Sequence, residues 1–311
     1  MKYCIIGVGG TGGPTGAKLA QAGKDVTLIA RGKSLAALQK NGITIRHLWD
    51  GETLQVPVRT CTLDDYLALS KEEQADVILV CVKGYSLDSI LPFLQRAAHP
   101  GTIVLPVLNI YGTGSRLQDK LPKADVLDGC IYVSAAQEAP GVLVQHGPIH
   151  RIVFGPRDHK IQNPVYRQIA QDLKDSGISG ELSDNIQRDA LEKFSYVSPI
   201  GAAGLYYNAV AGDFQKEGPA RDLFVRMIRE VSALADAMGC PFEKDYVPVN
   251  LEILSHLSAD ATTSMQRDVM AGHPSEIDGL VLEVVRMGHK WNVPVPAYEM
   301  VADEMEKRGV H

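Results

Sequence analysis

Met1-Lys2-Tyr3-Cys4-Ile5-Ile6-Gly7-Val8-Gly9-Gly10-Thr11-Gly12-Gly13, running on to Asp25-Val26-Thr27-Leu28-Ile29-Ala30-Arg31, is the stretch that decides the fold. Residues 3–6 are a short apolar run that reads as a buried strand, residues 11–22 read as a helix, and residues 25–30 as a second strand. Gly7, Gly9 and Gly12 follow the first strand at the spacing G-x-G-x-x-G. In that setting the unit reads as the βαβ opening of a dinucleotide-binding fold. The first glycine permits the tight turn, the second lets the backbone approach a pyrophosphate, and the third lets helix and strand pack closely. The pyrophosphate is then held by the N–H groups of the helix N-terminus, which the helix dipole also favours. Gly7, Gly9, Gly10, Thr11 and Gly12 are the expected cofactor loop. A glycine-rich turn without a ligand is the plainer alternative.

The tip of the second strand chooses between cofactors. NAD sites commonly place Asp or Glu there to hold the ribose 2′-hydroxyl. Here the strand ends Ile29-Ala30-Arg31, followed by Gly32-Lys33, with no acid. A guanidinium suits a 2′-phosphate through bidentate, charge-assisted hydrogen bonds. The sequence therefore predicts NADP(H), with Arg31 as selector; a solvated surface charge is the alternative for Arg31.

At 311 residues the chain is long enough for two domains. Its 45% hydrophobic and 22% charged content is that of an ordinary globular protein. A net charge of −6 and the lack of a basic stripe argue against nucleic acid. The five scattered cysteines form no C-x-x-C pair. Cys4 and Cys81 fall in apolar runs and read as small buried hydrophobes, and the unpaired set suits a reducing cytoplasm. No apolar run approaches membrane-span length, and the first strand begins too early for a signal peptide, so no membrane partner is expected. His146 and His150 flank Gly147-Pro148, which rules out a helical metal pair, and no metal is expected.

Further along, residues 33–40 read as a helix, and residues 43–48 and 53–58 as strands joined through Asp50-Gly51. Residues 75–82 are continuously apolar, as in a parallel strand covered on both faces. Lys83 follows at its carboxyl end, the edge where open α/β sheets bind ligands. Residues 85–97 read as helix, 102–108 as a buried strand ending at Asn109, 126–135 and 142–155 as strands about Pro140-Gly141, and 163–176 as helix. Near residues 180–185 the strand alternation stops. Leu223, Met227, Val231, Leu234 and Met238, then Ile277, Leu280, Val284, Met287 and Trp291, repeat at helical spacing. The expected fold class is α/β: a Rossmann-type dinucleotide-binding domain over residues 1–184, followed by an all-helical substrate and catalytic domain over residues 185–311. The cleft between them is the default active site, and the apolar helix faces are compatible with a homodimer.

Several segments resemble the 2-dehydropantoate 2-reductase (ketopantoate reductase) family over essentially the whole chain. They are the glycine-rich start, Arg31-Gly32, Val82-Lys83, Leu108-Asn109, Glu192-Lys193, Thr263-Ser264-Met265-Gln266-Arg267-Asp268 and Ser275-Glu276-Ile277-Asp278-Gly279. Ser264 and Glu276 keep the family's spacing. The resemblance implies reduction of a small 2-oxo acid to the 2-hydroxy acid with NADPH in the cytoplasm. Hydride transfer to a ketone builds negative charge on the carbonyl oxygen, which needs a proton donor. The resemblance gives that role to Lys193, with Glu276 as partner of the lysine or of a substrate hydroxyl. It places Ser264 on the substrate carboxylate, Asn109 beside the nicotinamide or Lys193, and Lys83 near the cofactor. On the residues alone, Lys193 and Lys83 also fit solvated lysines, Asn109 a strand-end turn, Ser264 a local helix-start bond and Glu276 a first-turn acid.

The departures point to the substrate. The family has asparagines four and eight residues after the lysine and three before the serine; here Val197, Gly201 and Ala261 stand there. Pro199 lies closer to Lys193 than the family's proline does, and Ile110 follows Asn109 where the family usually has glycine. Loss of polar donors disfavours a hydroxylated substrate, so a more apolar 2-oxo acid than ketopantoate is expected. Two rivals remain: a non-catalytic NADP(H)-binding sensor on the same fold, and an NADP-dependent dehydrogenase acting on a larger or amino substrate.

Overall fold

The structure is a computed structural model and describes residues 1–310. The chain forms two compact units, residues 1–108 with 112–186, and residues 109–111 with the chain from 187 onward.

The first unit contains β1 (Lys2–Ile6), α1 (Gly12–Gln21), β2 (Asp25–Ile29), α2 (Gly32–Asn41), β3 (Ile43–His47), β4 (Thr53–Val56), β5 (Arg59–Cys61), α3 (Leu63–Leu67), β6 (Val77–Val80), α4 (Leu87–Ala97), β7 (Ile103–Pro106), α5 (Thr113–Gln118), β8 (Asp125–Val126), β9 (Asp128–Ala139), β10 (Val142–Gly155), α6 (Pro164–Asp175) and β11 (Ser179–Leu182). One six-stranded sheet runs β5-β2-β1-β6-β7-β8, every pair parallel. Side-chain alternation explains why its strands are apolar throughout. In β1, Tyr3 and Ile5 enter the core on one face, while Cys4 and Ile6 enter a separate core on the other.

The second sheet runs β11-β10-β3-β4, with β9 antiparallel to β10. The β3–β4 hairpin turns at Asp50-Gly51 and β9–β10 at Pro140-Gly141, as the turn residues predict. β11 lies where strand character had been expected to end. Its Ser-Gly-Glu-Leu sequence carries no apolar run, and it becomes a strand by pairing in parallel with β10. The helix expected from residue 85 opens as a 3₁₀ turn at Gly84–Ser86.

The second unit contains α7 (Ile186–Tyr207), α8 (Ala211–Phe214), α9 (Pro219–Ala237), α10 (Tyr246–Ser255), α11 (Ser264–Met270), α12 (Glu283–Trp291) and α13 (Pro296–Lys307). The apolar repeat of α9 is buried at Leu223, Met227, Val231 and Leu234, packed with Phe194, Phe224 and Leu280. The single helix expected over residues 277–291 is interrupted: Asp278–Leu282 is a π-turn ahead of α12. Apolar spacing tolerates that extra residue without announcing it. Among the described residues no helix is long and apolar enough to cross a membrane.

Candidate active site

β1 ends on Gly7, whose φ of +100° is open to glycine and strained for other residues. A methyl group on Gly12 would stand 2.0 Å from the Gly7 carbonyl oxygen, and one on Gly10 would stand 2.1 Å from the Ala135 carbonyl oxygen. At Gly9 the same methyl would meet nothing within 4 Å. The middle glycine thus borders open space, while its neighbours are glycine because backbone lies against them. Thr11 precedes α1 and its hydroxyl donates to the Cys81 carbonyl (3.3 Å). The α1 N-terminus has no side-chain cap and no acid in its first turn, which leaves backbone donors and a positive dipole end for an anion.

Parallel register puts the other cofactor residues at the same edge. Ile6 of β1 is level with Ile29 of β2 and Val80 of β6. Gly7, Arg31 and Lys83 therefore all emerge at the carboxyl ends of neighbouring strands. Arg31 is exposed and begins α2, which likewise has neither a side-chain cap nor a first-turn acid. Lys83 is partly buried. A dinucleotide with a 2′-phosphate fits these residues: an open glycine for the pyrophosphate, an uncapped helix behind it, and a guanidinium without a competing carboxylate.

In the helical unit, Lys193 of α7 is 8% exposed and its Nζ donates to Asn109 Oδ1 at 2.6 Å. Asn109 belongs by its packing to this unit, though β7 leads into it. Its neighbour Tyr111 lies against Phe194, ring centroids 6.3 Å apart, and the Ile110 side chain sits on Gly279. Glu276 is 4% exposed and lies two residues before the π-turn; its carbonyl accepts from Leu280 N–H (2.9 Å). Ser198 Oγ donates to the Leu280 carbonyl (2.5 Å) and lies 2.7 Å from Tyr298 Oη. That buried chain ties α7, the π-turn and α13 together, and with them the segments carrying Lys193 and Glu276.

Pro199 lies inside α7 and removes the N–H that would bond the Ser195 carbonyl. The buried Asn250 supplies the missing donor: its Nδ2 reaches Ser195 O and Ser195 Oγ, each at 3.0 Å. Asn250, Ser198, Tyr298 and Ile110 have no place in the set expected from sequence. Ile110 stood out only as a departure after Asn109, and the one signal that could have led to Asn250 is Pro199, because a proline inside a helix leaves an orphaned carbonyl four residues back.

Ser264 is the first residue of α11, but Thr263 makes the cap. The Thr263 hydroxyl accepts from Gln266 N–H (3.2 Å), and Gln266 Oε1 accepts from Thr263 N–H (3.0 Å). The helix-start bond that could have explained Ser264 is thus made by its neighbour. Lys193, Val197 and Gly201 share one face of α7 by their spacing of four. A methyl on Gly201 would stand 2.8 Å from Met265 Cε. The face bearing the lysine therefore runs toward the start of α11, and the space beside Gly201 is filled by a thioether.

The sequence profile described as "Ketopantoate reductase PanE/ApbA" matches residues 3–159, and "Ketopantoate reductase PanE/ApbA C terminal" matches residues 185–308. A 2-dehydropantoate 2-reductase of Mesorhizobium japonicum is 28% identical over 97% of this chain and 95% of its own. The crystal structure of 2-dehydropantoate 2-reductase from Methylococcus capsulatus superposes with a TM-score of 0.87 at 22% identity, covering 99% of this chain and 97% of that one. A ternary structure of D-mandelate dehydrogenase with NADH and anilino(oxo)acetate superposes with a TM-score of 0.84 at 21% identity, covering 97% and 96%. With both of its units matched, the chain belongs to the ketopantoate reductase PanE/ApbA family of NADP(H)-dependent oxidoreductases.

Proposed function

We propose that this protein reduces a small 2-oxo acid to the 2-hydroxy acid with NADPH, and that Lys193 is the general acid. The observation that carries the reading is the buried Lys193 ammonium on Asn109 Oδ1 at 2.6 Å. NADPH, when bound, supplies the hydride. Asn109 accepts from the ammonium and orients it, so a carbonyl oxygen placed against Nζ receives a hydrogen bond first and a proton as charge builds. Glu276, just ahead of the turn tied to α7, holds the lysine or a substrate hydroxyl. Ser264 donates its hydroxyl to the substrate carboxylate. Gly7, Gly9, Gly10, Thr11 and Gly12 hold the pyrophosphate, Lys83 lies by the cofactor, and Arg31 binds the 2′-phosphate.

The substrate side chain is more apolar than that of ketopantoate. Val197 and Ala261 offer no hydrogen bond to a hydroxyl, and Met265 fills the space at Gly201. A site of that kind discriminates against a group it cannot pair.

The test follows NADPH absorbance against ketopantoate, unhydroxylated branched 2-oxo acids and phenylglyoxylate, with Lys193→Ala in parallel. The expected result is turnover in which the unhydroxylated acids exceed ketopantoate in kcat/KM, with Lys193→Ala lower by about 10²–10⁴-fold. If ketopantoate outranks every other acid, the apolar assignment is wrong. Tight NADPH binding with no oxidation across the panel would replace the enzyme reading by a sensor.

A further inference from the structure

We propose that Ile110 is a positioning residue of this site: seated on Gly279, it fixes Asn109 against Lys193 and against the turn that follows Glu276. The proposal rests on reading Lys193 as the acid. Three consecutive residues each contact the helical unit. Asn109 accepts from Lys193, Ile110 covers Gly279, and Tyr111 lies on Phe194. A methyl on Gly279 would fall 2.4, 2.6 and 3.0 Å from Ile110 Cδ1, Cγ1 and Cγ2. The sec-butyl group therefore occupies the space that any side chain at 279 would take.

Gly279 is the second residue of the π-turn and stands three residues after Glu276. The turn is itself fastened, through Leu280 N–H to the Glu276 carbonyl and through Ser198 to the Leu280 carbonyl. Pressure on Gly279 is thus felt at Glu276, and loss of Ile110 is felt at Asn109. Ile is stiff at χ1, so it holds its segment with little residual freedom. π-turns recur at functional sites, and here the turn presents the glycine that receives the knob. Acid catalysis needs this precision, because misplacement by about 1 Å can cost about 10²-fold.

The experiment compares Ile110→Ala, Ile110→Val, Gly279→Ala and the double variant Ile110→Ala/Gly279→Ala. It measures kcat, its pH profile, NADPH Kd, and the pH dependence of Lys193 acetylation by acetic anhydride, read by peptide mass spectrometry. Ile110→Ala is expected to lower kcat by about tenfold or more, to move the alkaline limb and the acetylation midpoint, and to leave NADPH Kd within about twofold. Ile110→Val restores both. Gly279→Ala alone is as harmful as Ile110→Ala, and the double variant recovers part of the loss because the new methyl takes the vacated space. Wild-type kcat and an unchanged acetylation profile in Ile110→Ala would overturn the proposal. Should the wild type turn over no 2-oxo acid, or Lys193→Ala keep full activity, it is the functional reading that fails. The acetylation profile of Ile110→Ala still decides the placement: a moved midpoint supports it and an unmoved one sinks it.

Discussion

The selector role proposed for Arg31 rests on a single residue. It stands exposed at the end of β2 and the start of α2, where no first-turn acid competes for its guanidinium. Charge-assisted bonds to a 2′-phosphate are worth roughly 1.5–3 kcal/mol, so Arg31→Ala should cut the NADPH-over-NADH preference in kcat/KM by about ten- to a hundredfold. NADH kinetics should barely change, since that cofactor has no phosphate to lose. An unaltered preference in the variant would remove Arg31 from the role. The placement of Arg31 and the glycines at neighbouring strand ends was legible because strand-end position is local, one residue at one turn. Lys193 was not legible in that way. A lysine in a helix reads as solvated, and its burial against Asn109 depends on a contact 84 residues apart in the chain. Only the family resemblance singled it out. Ile110 was visible as a departure, but its use depends on Gly279, and no local pattern connects the two.

At the scale of an element, α7 carries a proline in its interior and remains one helix of 22 residues. It does so because Asn250 of α10 replaces the lost backbone donor at the Ser195 carbonyl and also bonds Ser195 Oγ. Asn250→Ala strands a buried carbonyl and hydroxyl, and should lower unfolding free energy by about 1–3 kcal/mol. The cost should shrink in a Pro199→Ala background, where a helical N–H again reaches Ser195. Denaturant titration of the four proteins gives the coupling; equal costs of Asn250→Ala in both backgrounds would show that the asparagine acts elsewhere. From the sequence this region was legible only as part of a helical domain and Pro199 only as a departure from the family, and the repair lay on a helix some 50 residues later. The π-turn before α12 escaped the sequence for a related reason. Ile277, Leu280 and Val284 keep helical apolar spacing in the sequence and are buried in the structure, so nothing in the pattern marks the wider turn between them.

Over the whole molecule, the change from alternating strands to helical repeats made the two-part architecture legible. The second sheet of the first unit was less so, because β11 and β10 pair for tertiary reasons. One buried group links that sheet to the helix behind the glycine loop. His150 of β10 is 5% exposed, with its Nε2 3.1 Å from Thr15 Oγ1 of α1. The Thr15 hydroxyl donates to the Thr11 carbonyl (2.8 Å), so its oxygen accepts from Nε2–H. Nδ1 is buried with no partner. Burial, helped by the nearby Lys18 ammonium, pushes the imidazole down to about 3. The sign follows from linkage. Above the unfolded value near 6.5 both states are neutral and the group contributes no slope. As pH falls below it, the unfolded chain takes up a proton that the folded chain refuses, so stability declines toward the folded value. This one group should remove roughly 1.4 kcal/mol per pH unit across that window. His150→Gln keeps an N–H for Thr15 and cannot titrate, so it should flatten the acid limb by that amount while costing little at pH 7.5. Unfolding free energies from pH 7.5 to 4.5 test this, and parallel curves for the two proteins would refute it. Because α1 begins at the glycine loop, NADPH added at pH 5 should raise wild-type stability only through the same folded, His150-neutral state. The ligand therefore lifts the curve without removing its slope.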